Sequence, residues 1–156
     1  MAASLTAPKL LTPGSGSITG GKASSVKVMR ILVGAAATND VVVDAQATYQ
    51  IASIPAGTVV LSVLTRVIAA FSTFVTIGIG DGASTSGWLA TTKIAPTSAE
   101  TAGLYQTTQL ATADAYAGGK KYLADDTIDA IIGGATPAAG QLEVLIHYVD
   151  AAAGTA

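Results

Sequence analysis

Apolar and polar positions alternate in short runs along most of this 156-residue chain, and few stretches carry a helical period. Val26 to Val33 is apolar and β-branched, which predicts a first strand. "DVVVDA" (40–45) and "ATYQIA" (47–52) are two more short runs, followed by a turn at "IPAG" (54–57) with Pro55 and Gly57. Thr58 to Ala70 is the longest apolar stretch. In it Val59, Leu61, Val63 and Val67 are expected on one continuous apolar face, with Val60, Ser62, Leu64, Arg66 and Ile68 on a mixed one. Phe74 to Ile79 predicts a further strand, running into the glycine loop "TIGIGDG" (76–82). Near the end, Thr127 to Ile132 alternates, and "QLEVLIHYVD" (141–150) sets Leu142, Val144, Ile146 and Tyr148 against Gln141, Glu143 and His147, with Leu145 and Val149. "GGATPAAG" (133–140) is the turn between these two.

From Trp88 to Gly119 the pattern fades; Thr97-Ser-Ala-Glu100 fits a capping box for one or two helical turns at most. Short strands, frequent turns and no long helix predict an all-β chain, an antiparallel β-sandwich of jelly-roll type. Residues 1–23, with the run "TPGSGSITGGK" (12–22), read as an extended N-terminal arm that offers Leu10, Leu11 and Ile18 for burial. The sandwich domain is placed at 24–150 and a C-terminal tail at 151–156.

Composition sharpens this picture. Only 12% of residues are charged, about half the usual share, and the net charge is -2. A surface covered by Ser, Thr, Ala and Gly loses little desolvation energy on packing against another chain, which suits life in an assembly. No basic cluster exceeds Lys120-Lys121, so no nucleic-acid partner is expected. Arg66 and several Ser/Thr residues interrupt the most apolar stretch, so it is read as paired strands and no membrane partner is expected. Cysteine is absent, which removes thiolate chemistry and disulfides. The first residues, "MAASLTAPKLLTPG", lack the apolar core of a signal peptide.

Several motifs imitate active sites. Gly78-Ile-Gly80-Asp-Gly-Ala83 fits G-x-G-x-x-A with Glu100 about twenty residues on, but "ASTSGWLATTKIAP" after it carries no amphipathic helix to hold a pyrophosphate. A tight turn with Gly80 or Gly82 at positive φ is expected there instead. "GSITGGKA" (16–23) has Ala23 where a phosphate loop needs Ser or Thr. His147 is the single histidine, so a triad or histidine metal site has nothing else to build on, and a surface or interface role is expected. Asp81, Asp125, Asp126 and Asp129 lack calcium-loop spacing and read as turn residues. Trp88 is expected to plug a core edge or a subunit seam. No catalytic, cofactor-binding or metal-binding residue is assigned, and no enzyme activity or cofactor is expected.

"IPAGTVVLSVLTRVIAAFSTFVTIGIGDGASTSGWLA" (54–90) and "KKYLADDTIDAIIGGATPAAGQLEVLIHYVD" (120–150) resemble the head decoration (cement) and head-fibre structural proteins of tailed bacteriophages. The resemblance spans roughly residues 40 to 150 and rests on turn-and-strand signatures. It implies a non-enzymatic virion protein, commonly a homotrimer, made in the host cytoplasm and docked on the outer surface of the assembled head. Its partner would be the major capsid protein. The alternative is a tail or fibre protein that binds a host receptor through the loop 83–118, with Trp88, Tyr105 and Tyr116. The interface candidates are Leu10, Leu11, Ile18, Val60, Leu64, Trp88 and His147. The arm is placed to add a strand to a capsid edge or to clasp a neighbour.

Overall fold

The computed structural model describes residues 26–91, 94, 96, 106–107, 115–116 and 118–150. The proposed arm and tail, with Leu10, Leu11 and Ile18, and the capping box at 97–100 lie outside them. Among the described residues the chain is all-β, with strands β1 (Lys27–Gly34), β2 (Val41–Val42), β3 (Thr48–Ile54), β4 (Val59–Ala69), β5 (Thr76–Asp81), β6 (Gln106–Thr107), β7 (Lys120–Lys121), β8 (Asp126–Gly133) and β9 (Gln141–Val149). They form two sheets. The larger runs β2-β1-β9-β4-β6, with β7 also on β4, and the smaller runs β3-β8-β5. Every pairing is antiparallel except β1 with β2.

Alternation explains why the layers close. β9 sits between β1 and β4 and buries Leu142, Val144 and Ile146 completely. Ile31 and Val33 of β1 lie beside Val144 and Leu142 on the same inward face. Ile128, Ala130 and Ile132 of β8, with Ile77 and Ile79 of β5, supply the facing layer of one shared core. Each such buried aliphatic side chain contributes about 2 kcal/mol of transfer free energy. The turn 134–140 does not make a hairpin: β8 and β9 belong to different sheets, and the turn carries the chain across the sandwich.

The long strand departs from the expected alternation. β-bulges at Leu61 and Ile68 break the register of β4 on β9. An extra residue reverses the parity of everything after it. Val60 before the first bulge and Val63, Thr65 and Val67 after it therefore share the inward face and are fully buried, while Leu61 at the bulge is exposed. Val60, expected on the mixed face as an interface residue, is a core residue and presents no surface to another chain.

Candidate functional site

The glycine loop is a place of close backbone approach. The chain leaves β5, turns at Asp81–Ser84 and returns so that Leu89 bonds Ile79 through both its N–H and its carbonyl, at 2.9 and 2.8 Å. A Cβ on Gly80 would lie 2.2 Å from the Ser84 carbonyl oxygen. This, and not a left-handed backbone, is why glycine stands there: neither Gly80 nor Gly82 has positive φ, in contrast to Gly57, Gly119, Gly134 and Gly140. The stretch that would have to be helical to cradle a pyrophosphate, 82–91, is turn and bridge.

Asp81 is the centre of the most connected polar group in the described structure. Its side chain is fully buried at the end of β5. Oδ1 accepts the N–H groups of Ala83 and Ser84, each at 3.0 Å, and the Tyr116 hydroxyl at 3.0 Å. Oδ2 accepts the Tyr122 hydroxyl at 2.9 Å and the Lys120 ammonium. The Trp88 indole N–H donates to the Tyr122 oxygen at 3.1 Å, and its ring meets that of Tyr116 at 5.1 Å between centroids. Lys120 lies 4.4 and 4.5 Å from the Tyr116 and Tyr122 ring centres, close enough for a cation–π contribution from both.

The electrostatics follow from these contacts. Burial alone would push the Asp81 carboxyl up, but hydrogen bonds from Lys120, Tyr122, the Ser84 backbone and Tyr116 outweigh it and hold the group below its usual range. Burial would likewise lower Lys120, yet Asp81 and Tyr116 raise it. Both tyrosines are pushed up, first by burial. Asp81 and Lys120 therefore form a charged pair at neutral pH, with both carboxylate oxygens, both tyrosine hydroxyls and the Trp88 indole N–H hydrogen-bonded. The cluster clamps the 82–89 return, Tyr116 and residues 120–122 onto the end of β5.

The outer face of the large sheet carries the second polar group. Glu143 is almost fully buried there, opposite Arg66, whose guanidinium is 2.9 Å away, and it also pairs with Arg30. His147 lies on the same face with Nδ1 3.0 Å from the Ser62 hydroxyl. Leu64 and Leu145 lie between these groups and Leu32 beside Glu143, each half-buried. Of the interface candidates, Leu64 and His147 thus share one exposed-side face. Trp88 does not join them: it is fully enclosed within the chain, so of its two expected roles only the core plug fits.

Of the other acidic residues expected in turns, Asp125 lies in the connection from β7 to β8, whereas Asp126 and Asp129 belong to β8 and Asp129 is buried in its ladder. Asp125 accepts the Ala56 N–H at 2.8 Å, Asp126 the Thr127 N–H at 2.8 Å, and Asp129 the Thr127 hydroxyl at 2.7 Å. Among the described residues no three His, Asp or Glu side chains converge to hold a metal ion. At the opposite end of the sandwich an open cleft of about 410 Å³ is lined by Ala35, Ala36, Asn39, Ala69, Ala138, Ala139, Gly140 and Gln141, a wall with no titratable side chain.

Sequence reasoning treated Asp81, Tyr116 and Lys120 separately and passed over Tyr122. Their partners are 35 to 41 residues away from Asp81 in sequence, so no local spacing joins them. The one available signal was Lys120-x-Tyr122, two residues that share a face once a strand is assigned there.

No family model and no curated protein matches the chain. Solved structures do. A chain of the cyanophage Pam1 capsid asymmetric unit shares the fold with a TM-score of 0.52 and 20% identity, over 89% of this chain and 99% of that one. A chain of the acidic stable capsid structure of Helicobacter pylori bacteriophage KHP30 does so with a TM-score of 0.50 and 11% identity, over 81% and 93%. The two-sheet architecture described above is therefore a fold found in chains of bacteriophage capsid structures.

Proposed function

We propose that this chain is a structural protein of a bacteriophage head, a decoration (cement) protein that binds the outer surface of the assembled shell as a homotrimer and has no enzymatic role. The observation that carries this reading is the likeness to a capsid-structure chain along almost the full length of both molecules. A buried cluster whose described hydrogen bonds are internal, a cleft lined by small uncharged residues and a chain poor in charge support it. The strand order β2-β1-β9-β4 facing β3-β8-β5 also fits a jelly roll, in which first and last strands neighbour each other in one sheet.

The mechanism needs no chemistry. A ligand that binds the assembled shell and not the free capsid subunit stabilises the shell by mass action. A trimer touching several major capsid subunits gains effective concentration, so weak single contacts suffice. In electron micrographs of virions labelled through the C-terminus of this chain, the label is expected over the shell. Label confined to the tail would overturn the reading in favour of a receptor-binding tail or fibre protein.

A further inference from the structure

Sheet edges are templates for pairing, and the edges of this sandwich are treated differently. The outer edge of β4 is taken by β6 and β7. β5 is met by the returning chain at Leu89. β3 carries a bulge at Ile51 that interrupts its ladder. β1 has none of these protections along its first six residues. Its register on β9 runs unbroken from Lys27↔Tyr148 to Gly34↔Gln141, and on its other side β2 covers only Val33 and Gly34.

The direction of its free backbone groups can be read from their neighbours. The Leu32 N–H turns away from β9 and donates to the Asp40 carboxylate at 2.7 Å. The Gly34 carbonyl points the same way, to Val43 at 3.0 Å, whereas the Ala35 N–H turns back to Gly140 at 3.2 Å. Successive residues alternate, so Val28 and Arg30 also direct N–H and carbonyl outward. Among the described residues nothing pairs with them. Val26 and Val28 are 58% and 55% exposed. Lys27, the charge that would guard such an edge, is drawn to Asp150.

We propose that residues 26–31 are an acceptor edge for the N-terminal segment, residues 1–25, of a second copy of this chain, which adds as a further strand. Twenty-five residues precede Val26, and at about 3.3 Å each they reach up to about 80 Å, several times the roughly 15 Å radius of gyration of such a domain. Folding back onto its own β1 is the competing arrangement. A hairpin closed at Gly20-Gly21 sets Pro13 opposite Val28, and proline has no N–H for the waiting Val28 carbonyl. A neighbour's segment has no such fixed register and can bring Leu10 and Leu11 to the exposed valines. The contact is between copies, so it is independent of where the chain sits on a virion.

Two full-length variants test this. Val28→Pro removes an outward N–H and leaves the β9 ladder intact, so it blocks the edge while keeping the fold, which Trp88 fluorescence monitors. Leu10→Asp/Leu11→Asp damages the arm and leaves the edge. Amide exchange at Val28 and Arg30 should be about tenfold slower in concentrated wild type than in dilute wild type. Neither variant alone should show association. Mixing them should restore it, with slow exchange at Val28 of the isotope-labelled Leu10→Asp/Leu11→Asp copy. Slow exchange that is independent of concentration means the arm folds back on its own strand and overturns the proposal. Fast exchange in every sample, no rescue on mixing, or protection that appears only when capsid subunits are added overturns it too.

Discussion

Asp81 shows how one buried carboxylate ties separate segments of a fold together. Its charge is buried, so removing the negative partner strands the Lys120 ammonium among aromatic rings. Asp81→Asn should lower stability by about 3–5 kcal/mol at neutral pH, measured by urea unfolding with Trp88 emission as the probe. The pH dependence has a definite sign. The folded carboxyl sits below its unfolded value, so the unfolded chain binds more protons and acid favours unfolding. Its contribution is complete above the unfolded value, near pH 4, and disappears as pH falls through the lower folded value. The gap between wild type and Asp81→Asn should therefore narrow only below about pH 4. A gap that stays constant into strong acid would mean that the loss comes from packing and not from charge. Gly80 gives a second test at this scale. A methyl there would meet the Ser84 backbone at 2.2 Å, an obstacle that cannot rotate away. Gly80→Ala should cost about 1–3 kcal/mol and loosen the 82–89 return, seen as faster amide exchange at Leu89.

At the scale of elements, β9 separates core from surface most sharply. Ile146 is fully buried between the sheets, while Leu145 next to it lies half-buried on the outer face. Ile146→Ala should cost about 2–5 kcal/mol and Leu145→Ala much less, compared by thermal unfolding. Equal losses would mean that the outer face is covered as completely as the core. That inside–outside contrast was legible in the sequence, because Leu142, Val144 and Ile146 alternate with polar neighbours. The same rule held in β4 from Ser62 to Val67 but failed at Val59, Val60 and Leu61, since the bulge at Leu61 shifts parity and leaves no compositional mark. β7 was missed for a related reason: two lysines carry no strand signal, and only Val59 and Val60 across the ladder make them one. The crossing from β8 to β9 was equally hidden, because a Gly- and Ala-rich turn reads alike whether it closes a hairpin or spans two sheets. The Asp81 cluster depends on that tertiary arrangement and could not be assembled before it.

For the whole molecule the governing fact is how little charge there is to spend on recognition. Charged residues are 12% of the chain, and the described ion pairs, Lys27–Asp150, Arg30–Glu143, Arg66–Glu143 and Lys120–Asp81, occupy charges within the fold. Beside exposed charges such as Asp44, Lys121 and Asp125, the described residues offer other chains apolar and backbone surface: half-buried Leu64 and Leu145 on the outer face and the outward amides of β1. Contacts of this kind are nearly insensitive to ionic strength, whereas attraction between exposed charges is screened within about 8 Å at physiological salt and about 3 Å at 1 M. If the chain decorates a head in the way proposed, raising sodium chloride from about 0.1 to about 1 M should leave the bound fraction unchanged or slightly increased, as cosedimentation with empty heads would show. The decorated heads should also melt at a higher temperature than bare ones, and the shift should grow with free protein concentration as mass action requires. A bound fraction that falls steeply with salt would mean that a small number of exposed charges carry the attachment, and that the apolar faces serve some other contact.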